Sequence, residues 1–107
     1  MNWSEQKKNN LVEKLVRCLK QDDEIQTIII FGSFLTAEQP NDLDVAIIQN
    51  SEESYLPLAL KYRKQTRSVS QEIPLDILPI RKNAQGAFLS EIYKGRIIYE
   101  KRNRLMA

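Results

Sequence analysis

The sequence predicts a layered α/β (α+β) domain, on three observations. Helix-period and strand-period segments interleave in the order α-β-β-α-β-α with a final β, the pattern of helices packed on a sheet. Two strand runs, Ile25–Phe31 and Leu43–Ile48, are almost wholly apolar, as strands covered on both faces are. The chain has 107 residues, 42% of them hydrophobic and 28% charged, which suits one core and little more. A single domain over 1–107 is expected, with a basic, loose tail from about 101 to 107.

Between Trp3 and Gln21, Leu11, Val12, Leu15, Val16 and Leu19 recur at three- and four-residue spacing, one face of an amphipathic helix. The acids Asp22, Asp23 and Glu24 end it, although acids suit a helix C-terminus poorly. Ile25–Phe31 is the first strand, bounded by Gly32. Ser33 to Asn41 is a connection with room for one helical turn, and Pro40-Asn41 signals a turn before the second strand. After a polar loop, Tyr55 to about Ser70 reads as a helix on Leu56, Leu60 and Tyr62, with Ser54 as N-cap and Pro57 in the first turn. Ile73 to Ile80 alternates and carries prolines at 74 and 79, so it belongs near a sheet edge. Asn83 caps a further helix through Phe88, Leu89 and Ile92, with Gly95 as its stop, and Arg96–Glu100 is a last short strand.

Composition narrows the chemistry. The net charge of +2 does not argue for a nucleic-acid protein. With no histidine, His-based triads, His zinc sites and His general bases are excluded. The lone Cys18 has no intramolecular disulfide partner and reads as a small core or boundary residue. No stretch has the length of a membrane span and the N-terminus lacks an apolar signal core, so a cytoplasmic protein without membrane contact is expected.

Acids at the mouth of an apolar strand need a reason. Residues two apart on a strand face one side, about 6–7 Å apart. Asp42 and Asp44 therefore present their carboxylates together while Leu43 turns into the core. Such a pair repels and loses hydration, and a divalent cation removes both penalties. On the pair alone, a turn residue followed by a strand opener explains it equally well. Asp76, within the third strand between Leu75 and Ile77, adds a third acid. If that strand lies beside the second, the three form the carboxylate cluster that two-metal phosphoryl transfer requires. Gly32-Ser33 after the first strand offers close backbone approach and a hydroxyl to a phosphate.

The ordered set Gly32-Ser33, Asp42-Leu43-Asp44 and Asp76 resembles the DNA polymerase beta-like nucleotidyltransferase superfamily, in particular its minimal nucleotidyltransferase (MNT) branch. The resemblance implies that family's fold, a small mixed sheet with helices packed on it. It implies that Asp42, Asp44 and Asp76 are catalytic and hold two Mg²⁺ ions with a bound NTP, ATP favoured. Asp76 would hold the metal on the nucleophile side and help activate the acceptor hydroxyl. Gly32 and Ser33 would bind the β- and γ-phosphates. Many members carry an Arg and a Gly soon after the Gly-Ser, and Phe34–Asn41 has neither.

Small members resemble antitoxins paired with a HEPN-type toxin, which some inactivate by adding AMP. That implies transfer of AMP from ATP to a hydroxyl on a partner protein, with pyrophosphate released, within a homo- or hetero-oligomer. The alternative is a module of the same fold that neutralises its partner by docking, with little catalysis. A phospho-receiver domain would need its acid pair after the first strand, where this chain has Gly-Ser. The bases Lys61, Arg63, Lys64 and Arg67 read as a solvated helix face, and Tyr55, Tyr62 and Tyr93 as core or boundary residues.

Overall fold

A computed structural model describes residues 3–101. Four helices and four strands follow one another as α1 (Glu5–Leu19), β1 (Ile25–Phe31), β2 (Leu43–Gln49), α2 (Tyr55–Gln65), α3 (Arg67–Ser70), β3 (Leu75–Arg81), α4 (Ala87–Tyr93) and β4 (Arg96–Glu100). A 3-10 turn, Gly32–Leu35, leaves β1. The strands form one mixed sheet in the order β3-β2-β1-β4. β1 runs antiparallel to β2 and β4, and β2 runs parallel to β3. The parallel pair requires a crossover, which α2 and α3 supply.

Strand parity divides the core in two. Ile28 and Ile30 of β1, with Leu43, Val45 and Ile47 of β2 and Ile77 of β3, face the larger cluster. There they meet Leu11, Leu15 and Leu19 of α1, Leu58 and Tyr62 of α2, and Val69 of α3. The residues between them, Ile29, Ala46 and Ile48, face a thinner layer closed by Ile92 of α4, with Leu78, Ile80 and Leu89 partly buried beside it. β1 and β2 are thus buried on both faces, as their unbroken apolar runs require.

Several local expectations need correction. The helix expected from Tyr55 to Ser70 breaks at Thr66, whose φ of −107° and ψ of 20° are not helical. The buried Thr66 hydroxyl donates back to the Tyr62 carbonyl at 2.8 Å, a local bond that competes with helix continuation. Leu58, Ala59 and Tyr62 face inward, while Leu56 and Leu60 are exposed. Tyr55 and Tyr93 are exposed as well, and only Tyr62 is core. Ser54 stands at the N-cap position without a side-chain capping bond. α4 begins at Ala87 behind Gly86, not behind Asn83.

Gly95 does follow the α4 C-cap Lys94, but not as a left-handed stop. A Cβ there would lie 2.3 Å from the Ile30 carbonyl oxygen, so glycine is needed for the close passage of β4 against β1.

The acids after α1 lie beyond its C-cap, Lys20, in the turn into β1. Lys61 on α2 bridges them, at 2.9 Å from Asp22 and 3.1 Å from Glu24. The buried Tyr62 hydroxyl donates to Glu24 at 2.5 Å. The Asp22 hydrogen bond, then the Glu24 contact, hold the Lys61 ammonium above its usual value, while burial pushes the Tyr62 phenol well above the ordinary tyrosine range. Lys61 is therefore a structural tie rather than part of a solvated stripe. Lys101 caps β4, its backbone N–H donating to Gln26 and its ammonium to the Asp23 carbonyl. The rest of the basic tail lies outside the described residues.

Candidate active site

The parallel register places Asp44 directly beside Asp76. Asp42, one residue before β2, shares their face because Leu43 between them is fully buried on the other. One carboxylate oxygen from each of Asp42, Asp44 and Asp76 lies within 4.8 Å of the others. The expected adjacency of second and third strands is what brings the third acid in. Asp42 and Asp44 are partly buried and Asp76 is exposed at the sheet edge.

The crowding has an electrostatic signature. Burial pushes the Asp44 carboxyl above its ordinary 3.8, and repulsion from Asp42 and from Asp76 adds to the rise, as does a side-chain hydrogen bond with Asp76. The three carboxylates are an all-oxygen donor set suited to Mg²⁺, whose charge would offset the repulsion on Asp44.

Gly32 adjoins the cluster because Phe31, the residue before it, is the β1 partner of Asp44. Its φ is +80°, and a Cβ would lie 2.5 Å from an Asp44 carboxylate oxygen. Glycine is thus needed twice, for the backbone turn and for the acid beside it. Sequence reasoning read Gly32 as a place of close backbone approach and did not foresee the Asp44 contact. Ser33 is exposed in the 3-10 turn, and its carbonyl accepts from the Thr36 and Ala37 N–H groups, which closes the turn.

Contacts from the residues at and before the start of α1 hold that connection, and sequence reasoning missed them. Trp3, just before α1, donates its backbone N–H to the Gln39 side chain at 3.0 Å and packs edge-on against Phe34. The Lys8 ammonium donates to the Ala37 carbonyl at 2.7 Å. The start of α1 therefore fixes the spacing between Gly32-Ser33 and the acids.

Comparisons with known proteins bear on the family and the fold. The family described as Polymerase beta, Nucleotidyltransferase matches residues 13–104. No curated protein sequence matches the chain. Among solved structures, a complex of a tri-AMPylated Shewanella oneidensis HEPN toxin with MNT antitoxin superposes with a TM-score of 0.66 at 14% identity, covering 88% of this chain and 73% of the other. A toxin-antitoxin with AMP-PNP gives 0.65 at 16% identity, with coverage of 85% and 74%. The toxin-antitoxin MntA-HepT gives 0.58 at 16% identity, with coverage of 91% and 74%. At these identities the likeness is one of fold.

Proposed function

Because the chain belongs to the polymerase beta nucleotidyltransferase family, we propose that it is a Mg²⁺-dependent nucleotidyltransferase that moves AMP from ATP to a hydroxyl on a partner protein. The partner class we propose is a HEPN-type toxin, with this chain as its antitoxin. The observation that carries the reading is the convergence of Asp42, Asp44 and Asp76 within 4.8 Å beside Gly32. The partner class and the nucleotide draw support from the solved folds above, one an AMPylated toxin with its antitoxin and one with AMP-PNP.

In this reading Asp42, Asp44 and Asp76 would hold Mg²⁺, which would supply charge neutralisation to the triphosphate and to the oxygens that react at its α-phosphorus. Gly32 keeps the approach to the acids clear of a side chain, and Ser33 donates to β- or γ-phosphate oxygens. Asp76, at the exposed edge, takes the acceptor proton. The acceptor oxygen bonds to the α-phosphorus as the bond from that phosphorus to the pyrophosphate bridging oxygen breaks. The products are an AMP ester and pyrophosphate.

The test is the melting temperature with Mg²⁺ and each of ATP, CTP, GTP and UTP. Ligand at a hundred times its dissociation constant stabilises by about 2.7 kcal/mol. For a chain of this size that is a rise on the order of 10 °C. The rise is expected with ATP, only with Mg²⁺, and not in Asp76→Asn. A response to no nucleotide would sink the reading. It would leave the second one, neutralisation by docking, which the exposed Leu56, Leu60 and Phe88 favour.

A further inference from the structure

The acid cluster shares its face of the sheet with the thinly covered layer under α4. On β3, parity sets Leu78 and Ile80 on the side of Asp76, while Ile77 turns into the larger core. β3 is an edge strand. Two residues beyond Asp76 its edge opens into a groove of about 380 Å³ between Tyr55 at the start of α2 and Phe88 and Leu89 on α4. Tyr55 is 54% exposed and Phe88 63%, large apolar surfaces left to water on both rims.

Three features say what belongs there. First, the groove lies on the same edge strand as Asp76, its lining beginning at Leu78 two residues further along β3. From Asp76 to Ile80 is four residues of extended chain, about 13 Å, so one short peptide spans both. Second, the far end is basic, with Arg81 in the lining and Lys82 next to it. Third, the edge is blunted against strand addition. Leu43 N–H donates to the Pro74 carbonyl and Lys82 N–H to the Gln49 carbonyl, so even-numbered residues of β3 bond toward β2. Odd-numbered ones face the free edge, and Pro79 among them has no N–H to offer. An occupant is held by its side chains rather than by a strand ladder.

We propose, resting on the nucleotidyltransfer reading above, that this groove docks the acceptor segment of the partner protein. The segment lies extended along β3 and presents its hydroxyl at Asp76. Apolar side chains two and four residues from the hydroxyl fill the slot between Tyr55 and Phe88, and an acidic residue beyond them faces Arg81. The transfer step is the one already written, so the groove adds selection of the acceptor and no new chemistry.

A positional peptide library tests it, with one central Ser, Thr or Tyr, randomised flanks, Mg²⁺, and ATP labelled at the α-phosphate. Label is expected to concentrate on peptides with apolar residues two and four positions to one side of the hydroxyl and an acid beyond. Phe88→Glu should label the selected peptides at least tenfold less, and Phe88→Leu near the wild-type level, both keeping the thermal response to Mg²⁺ and ATP. Labelling without flank selection, or untouched by Phe88→Glu, overturns the proposal. So does absence of label while the thermal response persists. Loss of label and thermal response together instead overturns the nucleotide-site reading on which the proposal rests.

Discussion

At the scale of single residues, Asp44 is where fold and site oppose each other. Its carboxyl is raised above 3.8 by burial, then by Asp42 and Asp76. Between 3.8 and the raised native value the folded chain binds more protons at this position than the unfolded chain. The metal-free protein therefore loses this part of its stability as pH rises through that window, and below 3.8 the group contributes no difference. Asp44→Asn removes the ionisation. Without metal, the variant should be more stable than wild type at pH 7, with the advantage shrinking as pH falls toward 3.8. Urea titrations across that range read it, and an unchanged difference at both ends would refute it. Mg²⁺ should reverse the order at pH 7 by stabilising only the wild type. Much of this site was legible beforehand, because the two-residue spacing of Asp42 and Asp44 sets parity by itself. The second requirement on Gly32 was not, since the closeness of Asp44 comes from antiparallel pairing across the long connection Ser33–Asn41.

Elements show where sequence periodicity fails and why. α1 and β1 match expectation because their apolar residues fall on one face or fill both. In α2, apolar residues occur all round, at Tyr55, Leu56, Leu58, Ala59, Leu60 and Tyr62, so spacing does not choose the buried face. The choice is made by polar anchoring. Tyr62 and Lys61 reach Glu24 and Asp22 in the turn between α1 and β1, and this turns Leu58 and Ala59 inward. Tyr62→Phe keeps the packing and deletes one hydrogen bond to a carboxylate. A loss of about 1.5–3 kcal/mol is expected for such a bond. Lys61→Met, which removes two partly exposed ion pairs, should cost about 1 kcal/mol or less for each. Denaturant midpoints of the two variants measure the contrast, and equal losses would mean that charge pairing, not the tyrosine, orients the helix.

For the whole molecule, the two faces of the sheet are unequal, and the proposed ligand site lies on the thinner one. One face carries α1, α2 and α3 over a continuous core, while the other carries α4 alone and exposes the acids at its open end. Layering could be read from the alternation of elements, but the side on which α4 lies depends on the strand order: β3 and β4 run parallel at opposite edges, so a right-handed crossover sets α4 on the face opposite α2 and α3. The arrangement has a measurable consequence. Leu15 is fully buried in the large core, remote in the fold from the acids, and Leu15→Ala should cost about 2–5 kcal/mol. The rise in melting temperature with Mg²⁺ and ATP should survive in that variant, because the ligand meets the other face. Asp42→Asn should do the opposite, leaving the ligand-free melting temperature near or above wild type while abolishing the rise, since it removes a repelling anion that the proposed reading makes a metal ligand. If instead Leu15→Ala abolishes the response while the chain remains folded by circular dichroism, the two faces are coupled. The sheet would then be transmitting core strain to the acids rather than insulating them from it.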